Sequence, residues 1–168
     1  MRIRQQTGVT MIELLIVLVI AGILAGLAAP SFSRFINDTR QTSAMTQLTG
    51  DLNRARSEAI KRNQRMLVCA RDDNTSCGTD WNNGWLVCYD ADNDDDCDVG
   101  DSTNPNPIGI HQALNANLTL TGSADFIRFN PNGTQGAGGA ATLTLAGNWD
   151  GAQDKIASIA ATGNISRP

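Results

Sequence analysis

The chain is short of the residues that most enzymes need. It holds one histidine, His111, in 168 residues. No Gly-x-Ser-x-Gly elbow and no phosphate-cradling glycine loop occur. A lone imidazole with no nucleophile motif leaves no plausible triad. Paired carboxylates are concentrated in one acidic loop, which cannot hold a pKa-tuned geometry. The reading is that the chain is not an enzyme, and no cofactor is expected. A surplus of positive charge is missing too: 13 basic residues stand against 17 acidic ones, a formal charge of −4. That balance excludes a protein whose whole surface binds nucleic acid. The cysteines lack the C-x₂-C spacing of zinc sites, so no metal centre is expected from them. No repeat, low-complexity domain or second globular domain is visible.

What the chain does have is a long apolar run near its start. Arg2 and Arg4 lead into Thr7-Gly8, and Val9 to Ala29 follows as an almost unbroken apolar segment. About 21 residues suffice for one membrane-spanning helix at 1.5 Å per residue. The basic flank lies N-terminal, so the leader belongs in the cytoplasm and the remainder outside. Glu13 stands just inside this run. A carboxylate at mid-bilayer costs about 2.5 kcal/mol or more, so an unpaired one points to a function. A secretory signal peptide, cut near Ala25 to Ala29, is the plainer alternative. It has no use for Glu13.

The order of basic leader, glycine, and apolar segment with glutamate in its fifth place resembles type IV prepilins and pseudopilins. The resemblance implies cleavage by a prepilin peptidase between Gly8 and Val9, then methylation of the Val9 amine. Most family members carry Phe where this chain has Val9. Glu13 would pair with the free amine of a neighbouring subunit, which supplies the opposite charge that a buried carboxylate requires. Gly22 and Pro30 fall where such helices carry a flexible point and a kink. For Pro30 the simpler reading is the end of the membrane segment.

Beyond Pro30 the helical pattern continues to about Arg62. Met45, Leu48, Leu52, Ala55 and Ala59 recur at alternating intervals of three and four, one face of a helix. A break near Asn37-Asp38 is the alternative to one long helix. After Asn63 come short strands: Arg65 to Ala70, Trp85 to Tyr89, Ile108 to Gln112, Asn117 to Thr121, Phe126 to Phe129, Ala141 to Ala146 and Lys155 to Ala160. Asn82-Asn83-Gly84 and Asn130-Pro131-Asn132-Gly133 read as turns, and Gly136 to Gly139 as a flexible stretch. Trp81 and Trp85 read as packing residues. The expected fold is α+β, a long N-terminal helix packed on an antiparallel β-sheet domain. The expected organisation is a leader at 1–8, a helix at 9–62 with 9–29 in the membrane, and a β-rich domain at 63–168.

Four cysteines, Cys69, Cys77, Cys88 and Cys97, lie in the part expected outside the cytoplasm. An even count there reads as two disulfides, with three connectivities open. Cys69–Cys77 with Cys88–Cys97 is favoured, because each pair closes a short polar loop after a strand. A Cys69–Cys88 link would instead staple two neighbouring strands. The aspartates at 90, 92, 94, 96, 98 and 101 alternate as in calcium loops. Asp95 stands where the turn glycine is usual, and Asp101 where a glutamate is. A solvated hairpin loop is the preferred reading, with a calcium site as its rival.

The run Leu52-Asn53-Arg54-Ala55-Arg56-Ser57-Glu58-Ala59-Ile60-Lys61-Arg62-Asn63 resembles the helix end of the GspH/FimT group of minor pilins and pseudopilins. Gly84-Trp85-Leu86-Val87, Asp90-Ala91-Asp92 and Phe129-Asn130-Pro131-Asn132-Gly133 follow in that group's order. The resemblance implies a structural fibre subunit, a minor pilin of the type IV pilus that helps start assembly. A type II secretion pseudopilin is the alternative. The implied partners are other pilins or pseudopilins, an inner-membrane assembly platform and the peptidase. The implied place is the bacterial inner membrane, single-pass with a periplasmic domain, and then the fibre. FimT-like relatives bind DNA through a C-terminal Gly-Arg-x-Arg stretch. The matching place here reads Gly163-Asn164-Ile165-Ser166-Arg167, where only Arg167 is basic. Without the leader, 11 basic residues face 17 acidic ones, so weak or no DNA binding is expected. The rival to that expectation is a patch joining Arg167, Lys155 and the basic residues from Arg54 to Arg65.

Overall fold

The computed structural model describes residues 8–100, 107–136 and 139–167, with the side chains of 27–30 left aside. Arg2, Arg4, the Pro30 side chain, Asp101 and positions 137–138 therefore lie outside the described residues. Helix α1 is one element, Met11–Arg62. The chain divides into two compact units, Met1–Asn37 and Asp38–Pro168. The division falls where the sequence suggested a break, although α1 is assigned without one.

In the first unit α1 is apolar and bare. Val9, Met11, Ile12 and every large apolar residue from Leu14 to Ile20 are more than half exposed, as are Ile23 and Leu24. None of its most apolar 18-residue window is buried. Water does not tolerate such a surface on a monomer, so lipid or another protein must cover it.

In the second unit the same helix is amphipathic. Met45, Leu48, Leu52, Ala55 and Ala59, the predicted stripe, are at most 2% exposed. Ala55 and Ala59 on this face are fully buried. Gln41 is buried on the same side and donates to the carbonyls of Leu145 (2.8 Å) and Gln153 (2.9 Å). Leu48 or Leu52 truncated to alanine would cost about 2–5 kcal/mol each.

The strands are β1 Arg65–Ala70, β2 Trp85–Asp90, β3 Gly109–His111, β4 Leu118–Gly122, β5 Phe126–Phe129, β6 Ala141–Gly147, β7 Lys155–Ile159 and β8 Ile165–Ser166. All seven predicted strands are present within a residue or two. They form two four-stranded antiparallel sheets, β3-β2-β1-β5 and β4-β6-β7-β8, rather than one. Both sheets turn one face to a single core with α1. Met66, Val68, Trp85, Val87, Ile127 and Phe129 come from the first sheet, and Leu120, Leu143, Leu145, Ala157 and Ile159 from the second.

The turn before β2 is a short 3₁₀ helix, Trp81–Asn83, capped by the Asp80 carboxylate. It joins the sheets: Asn82 Oδ1 accepts the Leu120 N–H at 2.9 Å, and the Trp81 indole donates to Ala124 O at 3.0 Å. Gly84 ends it at φ 97, where a Cβ would run into the His111 carbonyl oxygen. Trp85 follows, buried as predicted. Its indole donates to Asp51 Oδ2 at 2.9 Å and its ring stacks 3.7 Å from His111. His111 in turn meets Gln47 Oε1 at 2.6 Å, so the histidine is a packing residue between sheet and helix.

Candidate functional site

Two places carry the residues singled out by the sequence. The first is the start of α1. Thr10 and Glu13 form a reciprocal cap. The Glu13 N–H donates to Thr10 Oγ1 at 3.3 Å, and Glu13 Oε2 accepts from the Thr10 N–H at 3.4 Å. This is a Thr-x-x-Glu capping box, which satisfies two otherwise orphaned amides. The Thr-x-x-Glu spacing is legible in the sequence, although Glu13 stands out there first as a charge in an apolar run. Its carboxylate also sits in the first turn, where the helix dipole favours it.

Gly8 needs explanation of another kind. A Cβ there would meet nothing within 4 Å, and the same holds for Gly22. No packing among the described residues requires glycine at position 8.

The second place is the outer face of the first sheet. Side chains alternate along β1 and β2, so Leu67, Cys69, Leu86 and Cys88 point away from α1. They are nonetheless fully buried. The cover comes from the two loops that the disulfides Cys69–Cys77 and Cys88–Cys97 close. β1 and β2 lie side by side, with Leu67 opposite Cys88 and Cys69 opposite Leu86. Neighbouring strands therefore carry the two cysteines without being stapled together. Each bridge runs from a strand to the loop folded over it. The four sulfurs lie within 4.8 Å of one another. All four are in disulfides, so they offer no thiolate to zinc.

Hydrogen bonds tie the two loops into one layer. Asp96 Oδ1 accepts the N–H of Cys77 at 3.2 Å and that of Cys97 at 2.7 Å. Arg128 of β5 pairs with Asp95. In the shorter loop the Asp73 carboxylate accepts from Thr75 and Ser76, which hold its pKa at about 2. The acidic loop is thus built rather than simply solvated. Asp90 departs furthest from a solvated loop. It belongs to β2, opposite Arg65, and is 1% exposed. Burial pushes its carboxyl above the usual carboxylate range, against the pull of nearby Asp95 and Asn93 amides and of Arg65.

The basic residues do not gather into one patch. Arg56 donates to Gly133 O at 2.9 Å and Thr162 O at 3.3 Å, clamping two turns. Lys61 and Arg62 pair with Glu58 at 3.3 and 3.0 Å, and lower its pKa, Arg62 more than Lys61. Arg65 faces Asp90. Arg167 donates to Thr46 Oγ1 at 3.2 Å and lines a cleft of about 280 Å³ with Lys155 and Asp154. Thr46 is about 12 Å along the helix from Arg54. Arg167 and Lys155 therefore come together, beside an acid, and the Arg54 to Arg65 group stays apart.

Comparison with known proteins agrees with these features. The family described as "Type II transport protein GspH" matches residues 44–163, and the "Prokaryotic N-terminal methylation motif" matches residues 3–29. Among solved structures, the type IV minor pilin FimU of Pseudomonas aeruginosa (strain PAO1) has a TM-score of 0.59 at 23% identity, covering 80% of this chain and 92% of that one. A second crystal form of FimU gives 0.56 at 23% identity, covering 76% and 91%. The minor pseudopilin EpsH from the Type 2 Secretion System of Vibrio cholerae gives 0.50 at 14% identity, covering 76% and 94%. A search among curated proteins finds no match. At these identities the structural likeness shows the pilin fold, while the family match spans most of the folded unit. The chain belongs to the GspH family and bears the N-terminal methylation motif of prepilin-like proteins.

Proposed function

We propose that the protein is a minor pilin of a type IV pilus, a structural subunit that works in fibre assembly or at the tip. One observation carries the reading: a helix whose first half is apolar and uncovered, directly after the Gly8-Val9 junction. Such a surface suits the membrane first and the packed core of a fibre afterwards. In this reading the peptidase cuts between Gly8 and Val9, Val9 is N-methylated, and 9–29 anchors the subunit in the inner membrane. The β-rich unit then lies in the periplasm, and other pilins and the assembly platform are the partners.

A pseudopilin of type II secretion is the second reading, favoured by the description of the matching family. Deleting the gene and scoring both piliation and secretion separates them. Lost pili with intact secretion is expected; normal pili with failed secretion would replace the first reading by the second. DNA binding is not proposed: Arg167 and Lys155 share their cleft with Asp154, and Arg56, Lys61, Arg62 and Arg65 are each bonded or paired within the chain.

Glu13 has two roles to separate, the cap within its own helix and the charge offered to a neighbour's amine. Glu13→Gln keeps the capping box, since glutamine also serves at that position, but removes the charge. The proposal expects normal processing and a loss of fibre incorporation in this variant, read by immunoblot of sheared fibres. Incorporation at the wild-type level would leave Glu13 with its cap alone.

A further inference from the structure

We propose that Asp90, Asp92 and Asp98 form a calcium site at the end of β2, beneath the loop closed by Cys88–Cys97. Ligand atoms of these three carboxylates lie within 4.8 Å of one another. Acidic residues crowd many loops without a cation, so the spacing alone carries little. The independent observation is Asp90 itself. Its side chain is fully buried, and among the described residues neither carboxylate oxygen has a partner within hydrogen-bond geometry; the Asp95 and Asn93 amides act on it only from outside that geometry. The nearest cation, Arg65 Nη1, stands 3.7 Å from Oδ2. That is an ion pair, too long for a hydrogen bond. A buried carboxylate without hydrogen bonds is costly, and a cation coordinated by both oxygens removes the cost.

The surroundings narrow the ion. Among the described residues the three donors are carboxylate oxygens, the cysteines are oxidised, and His111 is held by Gln47. Hard oxygen donors suit calcium or magnesium, not zinc or copper. Calcium accepts irregular geometry and sheds water readily, whereas magnesium requires a near-ideal octahedron. Asp98 reaches the cluster from the far side of the loop, where its Oδ2 also accepts the Ala91 and Asp92 amides. In the sequence the missing glycine counts against calcium. Asp95 in that place adopts φ 69, with Asn93 at φ 71, so the backbone makes the turn without it. Aspartate and asparagine are among the few residues that tolerate this conformation.

The test uses the full chain in detergent, with disulfides intact and cations removed by EDTA. Calcium chloride is titrated by calorimetry, and Tm is followed in parallel with calcium or magnesium chloride. The expected Kd lies in the range of about 10⁻⁴–10⁻³ M typical of extracellular calcium modules. Tm rises with calcium, and magnesium acts at least about tenfold more weakly. Asp90→Asn and Asp98→Asn should each weaken calcium at least about tenfold, and Arg65→Gln should tighten it, because a competing cation is gone. A purely structural Asp90–Arg65 pair would give no such tightening. If Asp90→Asn does not fold, exposed Asp92→Asn carries the same tenfold expectation. No heat and no Tm shift up to about 5 mM calcium would overturn the proposal. So would wild-type affinity in a folded Asp90→Asn or Asp92→Asn, or equal responses to magnesium.

Discussion

Gly8→Leu is expected to abolish maturation while leaving the folded unit intact. A Cβ at position 8 meets nothing within 4 Å, so no described residue stands in the way of a larger side chain. Glycine is a poor choice for the approach to a helix on intrinsic grounds, since it loses the most conformational freedom on ordering. Its presence is explained if a peptidase must pass the backbone through a site with no room for a side chain. The uncut precursor should accumulate with Arg2 and Arg4 still attached and should not enter fibres. Tryptophan fluorescence should match the wild type, because Trp81 and Trp85 lie in the other compact unit. Mature Gly8→Leu protein at the wild-type level would remove the processing role.

The second large effect concerns the sulfurs. Replacing all four cysteines by serine should destabilise the folded unit by about 5 kcal/mol, since each loop of nine or ten residues contributes about 2.6 kcal/mol in the chain-entropy account. The cost should exceed that of two ordinary surface loops. The loops lie on the face of the first sheet where Leu67 and Leu86 are fully buried, and Asp95 in one of them pairs with Arg128, so loosening them is expected to wet that face. Urea unfolding monitored by fluorescence reads the change as a lower midpoint, while an unchanged midpoint would show that Asp96 and Arg128 hold the layer unaided. Typical domains have only 5–15 kcal/mol to lose, so the reduced protein is expected near the limit of folding.

Much of this was legible in the sequence for particular reasons. The stripe from Met45 to Ala59 has one period and one meaning, and it packs as read. β1 and β5 match their expected limits because turn residues bound them closely. Loop length favours Cys69–Cys77 and Cys88–Cys97 among three open connectivities, and these are the pairs formed. The division into two sheets was not legible. An alternating strand reads the same whichever sheet it joins, and only the folded chain shows β5 crossing to β1 while β4 pairs with β6. β8 has two residues, too few to show any period. In the sequence Asp90 reads with its neighbours as part of a solvated loop. In fact β2 runs one residue past Tyr89, and pairing with Arg65 draws that aspartate inside. The capping box at Thr10 and Glu13 could have been found from Thr-x-x-Glu, and it gives Glu13 a local role beside the proposed one.

The central claim is that the apolar first half of α1 stays with the protein and becomes part of a fibre. Intact-mass spectrometry of the mature protein recovered from membranes and sheared fibres tests it most directly. The expected product is a chain that begins at Val9 with one methyl group on its nitrogen. A chain beginning after Ala29, with the apolar segment gone, would contradict it.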